Sequence, residues 1–197
     1  MTLIDKLKLY KIRLASASPR RQFLLREMGI EFSVQATDTD ESYDAHLSPE
    51  EVAVYLSQKK AAFFDAAQLD DNELIITADT LVSLHGQIIP KPATEAEAEQ
   101  FLRQLSGNMH EVFTGVTLKS KSKTKTFMSS SKVYFKKLSD DEIRYYLSIC
   151  MPLDKAGAYG IQEWIGYIGI ERIEGSFYNV MGLPTAALYR ELGDFML

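Results

Sequence analysis

Two serines, a proline and two adjacent arginines follow a short apolar run in "LASASPRR", residues 14–21. Ser18 is placed to cap a helix whose first residue is Pro19. A helix start presents unpaired backbone N–H groups and the positive end of the peptide dipoles, so anions bind there readily. Ser16 and Ser18 add hydroxyl donors, and Arg20 and Arg21 add forked guanidiniums suited to phosphate oxygens. The same residues also describe a plain capped helix with two exposed arginines. Successive helix positions lie about 100° apart, so the two arginines need not face one phosphate.

Asp79 stands inside the otherwise apolar "IITADTLV". A carboxylate there has to be paired, bound to metal, or carried to a strand end that opens to a ligand. The structural alternative is a buried aspartate that accepts backbone hydrogen bonds. Thr80 points to the opposite face of a regular strand. Val52, Leu56, Lys60 and Phe64 recur every four residues, which puts Lys60 on the apolar stripe of a helix and leaves Lys59 for water. Either an anion meets Lys60 or its stem snorkels across apolar surface. Lys91, between Pro90 and Pro92, has a restricted backbone that aims its ammonium, or it belongs to an ordinary strand-to-helix connection.

The loop acids Asp38, Asp40 and Glu41 could join Asp79 around a hard divalent cation, or simply be solvated. "PLDKAGAYGIQ", residues 152–162, combines Lys155, small residues and the amide of Gln162, which can donate and accept at a base edge. "GSFYNVMGLP", residues 175–184, is a second glycine-bearing turn into a helix.

The elements that position these groups are partly legible. "YKIRLA" reads as a strand and "PRRQFLLREM" as a helix stopped by Gly29. "EFSVQA" alternates Phe32, Val34 and Ala36 on one face, which predicts a strand. Ser48 with Glu51, Thr94 with Glu97, and Ser139 with Glu142 have the spacing of capping boxes. "ELIITADTLVSL" is apolar enough for the centre of a sheet. "HEVFTGVTLKS" and "KTFMSSSKVYFKKL" predict antiparallel neighbours around a solvated lysine-rich turn, and "GYIGIERI" predicts a further strand. The mixture predicts an α/β or α+β sheet with helices packed on it.

With 197 residues, 46% of them hydrophobic, the chain can bury a sizeable core, and it has no repeat or long linker. One continuous domain over residues 1–197 is expected. A formal net charge of -5 argues against an extended nucleic-acid surface. No stretch has the uncharged length of a membrane span or the pattern of a secretion signal, so a cytoplasmic protein is expected. The single Cys150 has no Cys or His at zinc-ligand spacing and reads as packing.

In their order along the chain, "LASASPRRQFLLREMGI", "DTDES", "QKKAA", "ITADTLV", "KP", "SGNMHEVFTGV", "PLDKAGAYGIQ" and "GSFYNVMGLP" closely resemble the Maf family, septum-formation-inhibitor-like nucleoside triphosphate pyrophosphatases. The resemblance implies a mixed α/β fold with two lobes around a nucleotide cleft, similar to inosine triphosphate pyrophosphatases, and a homodimer. It implies Asp79 as proton acceptor. Arg20, Thr80 and Gln162 fall on positions tied to choice of base. Ser16, Arg21, Glu41, Lys60, Lys91 and Lys155 match positions around the triphosphate, the metal or the water. Glu41 and Asp79 are the implied ligands of a divalent cation, Mg2+ or Mn2+. "PRR" with "ADT" and "GIQ" resembles the branch acting on dTTP and UTP, whereas the branch acting on 7-methyl-GTP has tryptophan where Arg20 stands. Ala17, Pro90 and Met151 depart from the usual pattern. The implied role is nucleotide-pool housecleaning with a link to cell division; the alternative is a nucleotide-binding regulator of septum formation without turnover.

Overall fold

A computed structural model describes residues 1–37 and 39–196. The strands are β1 (Lys11–Leu14), β2 (Ser33–Val34), β3 (Glu73–Leu84), β4 (Gln87–Ile89), β5 (Met109–Lys119), β6 (Thr124–Phe135) and β7 (Ile170–Glu174). They form one mixed sheet in the order β2-β1-β3-β5-β6-β7, with β4 beside β3. The helices are α1 (Leu3–Leu7), α2 (Pro19–Glu27), α3 (Pro49–Ala62), α4 (Glu95–Leu105), α5 (Asp140–Ile149), α6 (Trp164–Gly169), α7 (Phe177–Met181) and α8 (Thr185–Phe195). The fold class is therefore α/β with a mixed sheet, as expected. Among the described residues no helix is long and apolar enough to cross a membrane.

The chain divides into two compact units. The first comprises Met1–Asp79, Thr114–Ser129 and Gly182–Leu197. Here β1 runs parallel to both β2 and β3, with Leu14 opposite Ile76. Leu14, Leu74, Ile75 and Ile76 are wholly buried, as a run of branched residues inside a sheet requires. Ser18 caps α2, Pro19 opens it, and Gly29 follows it at φ 73, the left-handed conformation that glycine adopts without strain. The capping box at Ser48 and Glu51 is complete. α3 then buries Val52, Ala53 and Leu56. At Gly115 of β5 the helix comes so close that a Cβ would lie 2.2 Å from the Ala53 carbonyl oxygen.

One expectation is corrected in this unit. "EFSVQA" yields only the two-residue β2, and Val34 is 47% exposed because the strand lies at the sheet edge, where its alternation meets solvent. The lysine-rich turn between β5 and β6 is exposed at residues 121–124, as expected, and its lysines also reach neighbouring elements. Lys119 donates to the Ala61 and Phe64 carbonyls at the end of α3, and Lys123 to those of Asp194 and Phe195 at the end of α8. Lys121 pairs with Asp71 at 2.8 Å and Lys125 with Glu191 at 2.6 Å. Basic groups at helix C-termini meet the negative end of the dipole, so this turn buttresses two helices.

The second unit comprises Thr80–Phe113 and Ser130–Met181. The capping box at Ser139 and Glu142 is complete. At α4 only half forms: Thr94 caps Glu97 N–H, but the Glu97 carboxylate takes the Ala93 N–H instead. "GYIGIERI" is not one strand, since its first four residues end α6 and β7 begins at Ile170. A Cβ at Gly166 would sit 1.9 Å from the Ile161 carbonyl oxygen, so the glycine serves a close backbone approach rather than a strand.

Candidate active site

The parallel pairing of β1 with β3 brings Asp79, in the middle of β3, just past the point where β1 ends and the β1–α2 loop begins. β1 stops at Leu14, opposite Ile76, while β3 continues to Asp79 and beyond. In the loop, the Ser16 hydroxyl accepts the Ser18 N–H at 3.2 Å and Arg21 Nη1 at 3.2 Å. Arg21 Nε donates to the Gly182 carbonyl at 2.9 Å, which ties the helix start to the turn before α8. Burial lowers the Arg21 pKa, Asp79 opposes this, Arg20 adds to it, and Glu41 again opposes it. Arg20 is half-buried.

Lys60 meets its anion. Thr77 and Asp79 share one face of β3, and Ser57 and Lys60 share one face of α3. Thr77 Oγ1 donates to the Ser57 carbonyl at 2.7 Å, and one step along Lys60 Nζ pairs with Asp79 Oδ1. The same nitrogen lies 2.8 Å from Glu41 Oε1. Asp79 is 6% exposed, so the ammonium supplies the compensation that a buried carboxylate requires. Lys59, expected in water, instead donates to Asp40 at 3.2 Å and to the Ser42 carbonyl at 2.9 Å. Asp40 is thereby turned towards Ser42 and Lys59, and hydrogen bonds from Ser42, then Lys59, hold its carboxyl down to about 2. Asp38 lies outside the described residues.

Glu41 and Asp79 fit a hard divalent cation. Two carboxylate oxygens from different segments already converge on one cationic nitrogen. Such oxygens, completed by phosphate and water, are the donors that Mg2+ and Mn2+ take. Among the described residues no group of three or more acidic, His or Cys side chains gathers at one point.

In the second unit, Lys155 is buried and lies 2.7 Å from Asp154 and 3.1 Å from Glu163. Gly157 sits at φ 71 and its N–H reaches the Pro90 carbonyl at 3.2 Å, which joins the Lys155 loop to the segment carrying the exposed Lys91. Gln162 Oε1 is buried without a hydrogen-bond partner among the described residues. Thr80 is half-buried. Sequence reasoning missed the Gly182 carbonyl, Tyr146 and Glu163. A backbone carbonyl carries no residue signature, and a lone acid at a helix start reads as ordinary capping.

A capped helix start that follows the carboxyl end of parallel strand β1, within a mixed sheet, places the chain among α/β proteins. The profile of the family described as Maf-like protein matches residues 11–195, and the chain belongs to that family. A relative from Porphyromonas gingivalis, named dTTP/UTP pyrophosphatase, is 52% identical over 195 residues, covering 98% of each chain. Proteins of the same name from Parabacteroides distasonis and Bacteroides thetaiotaomicron are 50% and 48% identical, covering 98% and 96% of this chain and 100% and 98% of their own. Among solved structures, a dITP/XTP pyrophosphatase from Mycobacterium abscessus aligns with a TM-score of 0.45 at 12% identity, covering 94% of this chain and 97% of its own. The Staphylococcus aureus Ham1 protein aligns with a TM-score of 0.47 at 18% identity, covering 92% and 99%.

Proposed function

We propose that this protein is a nucleoside triphosphate pyrophosphatase that converts dTTP and UTP to the monophosphate and pyrophosphate. Relatives about half identical to it over nearly its whole length carry that name. The observation that supports the reading is the sheltered Asp79 carboxylate, paired with the Lys60 ammonium that also reaches Glu41, just past the point where β1 ends and the Ser16–Arg21 turn begins.

Water attacks the α-phosphorus in line with the departing pyrophosphate. The bond from that phosphorus to the bridging oxygen breaks, and the water's proton passes to the Asp79 carboxylate. A triphosphate offers Lys60 a competing anion, and as Lys60 turns to it, Asp79 is released to accept the proton. Ser16, Arg21, Lys60, Lys91 and Lys155 bind phosphate oxygens and offset the charge of the leaving group. Glu41 and Asp79 would hold a divalent cation, which would supply charge neutralisation and lower the pKa of a nearby water. Arg20, Thr80 and Gln162 select the base. Thymine and uracil share an N3–H donor, whereas cytosine presents an acceptor there, so the unpartnered Gln162 Oε1 suits the first two.

The test is a product assay with Mg2+ or Mn2+, offering dTTP, UTP, CTP, GTP and 7-methyl-GTP separately. Monophosphate and pyrophosphate from dTTP and UTP are expected, with Asp79→Asn losing about 10²–10⁴-fold in turnover while still binding nucleotide. Unchanged turnover in Asp79→Asn rejects its role, and no product from any nucleotide rejects the activity.

A further inference from the structure

Glu163 follows Gln162 and stands at the N-cap of α6, where an acidic side chain ordinarily accepts the helix's own N–H groups. It makes no such bond. The carboxylate folds back instead. Oε1 lies 3.1 Å from Lys155 Nζ, and Oε2 accepts the Tyr146 hydroxyl. The Tyr146 oxygen in turn accepts the Gly160 N–H at 3.2 Å, and Tyr146 is wholly buried. Burial, then the bond to Glu163, raises the Tyr146 pKa, so the phenol remains a donor. The fit is close, since a Cβ at Gly160 would come within 2.6 Å of the Glu163 carboxyl carbon.

Among the described residues, Asp154 and Glu163 are counter-charges of Lys155 of unequal kind. The Asp154 side chain is 56% exposed, where ion pairs are weak, whereas that of Glu163 is 18% exposed. Asp154 makes the shorter contact with the ammonium, and Glu163 the more sheltered one. The Glu163 N–H also donates to the Gly160 carbonyl at 3.0 Å, which closes the turn containing Gln162.

We propose that Glu163 is a positioning residue of the reaction: it fixes the Lys155 ammonium for a phosphate oxygen and, with Tyr146, locks the turn that presents Gln162. This rests on the reading of Lys155 as a phosphate ligand. Its action through Lys155 is what a double-mutant cycle measures. The affinity of the full-length protein for the non-hydrolysable α,β-imido analogue of dTTP is determined calorimetrically for wild type, Glu163→Gln, Lys155→Met and the double variant, with melting temperatures alongside. Glu163→Gln is expected to weaken binding about tenfold and to add less than about twofold once Lys155 is gone. Tyr146→Phe, which keeps the Glu163–Lys155 pair, is expected to weaken it about threefold. Effects of Glu163→Gln and Lys155→Met that multiply, or tighter binding by Glu163→Gln, overturn the proposal while leaving Lys155 as a phosphate ligand. Unchanged affinity in Lys155→Met overturns that reading, and the proposal with it.

Discussion

Lys60 and Asp79 form an ion pair sheltered on both sides, with side chains 12% and 9% exposed, and the same ammonium reaches out to the 49%-exposed Glu41. Lys60 thus supplies the positive charge between the two carboxylates that are proposed to hold a divalent cation. Removing one member of a sheltered pair strands the other, at a cost of about 3–5 kcal/mol. Lys60→Met is expected to melt at a lower temperature than wild type and to recover part of the loss in millimolar Mg2+, because a ligand of the folded state stabilises it. Equal responses of the two proteins to Mg2+ in thermal melts would count against a cation at Glu41 and Asp79.

Gln162 carries a desolvated acceptor, and such an atom favours ligands that bring a donor. Gln162→Leu is expected to lower kcat/KM for dTTP and UTP by about 10–100-fold and to leave CTP nearly unaffected. Parallel losses for all three nucleotides would remove Gln162 from base selection.

His110 donates to or accepts from the Tyr159 hydroxyl at 2.7 Å, and its ring stands edge-on to Phe135. Burial lowers its pKa from 6.5 to about 4. The folded pKa lies below the unfolded one, so the unfolded chain binds the extra proton first. The contribution is complete above about pH 6.5 and is lost as the pH falls towards about 4, reaching roughly 3 kcal/mol. Denaturant melts across this window should show His110→Gln losing less stability on acidification than wild type; parallel curves would reject the assignment.

Gly115 admits α3 to the sheet. Gly115→Ala places a methyl group 2.2 Å from the Ala53 carbonyl oxygen, and backbone has to move to accommodate it. The expected loss is about 1–3 kcal/mol in a urea titration, accompanied by lower turnover because α3 carries Lys60. Full stability with normal turnover would show that the helix approach is not what sets Lys60 against Asp79.

The helix starts at Ser18, Ser48, Thr94 and Ser139 were readable because a cap bond spans three residues and depends on little else. β3 was readable from its run of branched apolar residues. Lys60 was recognisable as misplaced on an apolar stripe, but its partner was not, since Asp79 lies nineteen residues along the chain on another element. β2 forms where alternation predicts a strand but is only two residues long, and the start of "GYIGIERI" is helical, because alternation reveals neither a strand's length nor a glycine that serves a backbone approach.

The sequence by itself determined the kinds of group available: a phosphate-suited helix start, an acid within a strand, and lysines and an amide in fixed order. Local hydrogen bonds and side-chain periodicity are properties of neighbouring residues, and they persist whatever surrounds them. Only the tertiary structure decided that Lys60 bridges Asp79 and Glu41, that Arg21 braces the Gly182 turn, and that Glu163 turns away from its own helix to Lys155 and Tyr146. Those pairings depend on the register of parallel strands and on close approaches at Gly115 and Gly160, which bring together charges that the chain itself keeps apart.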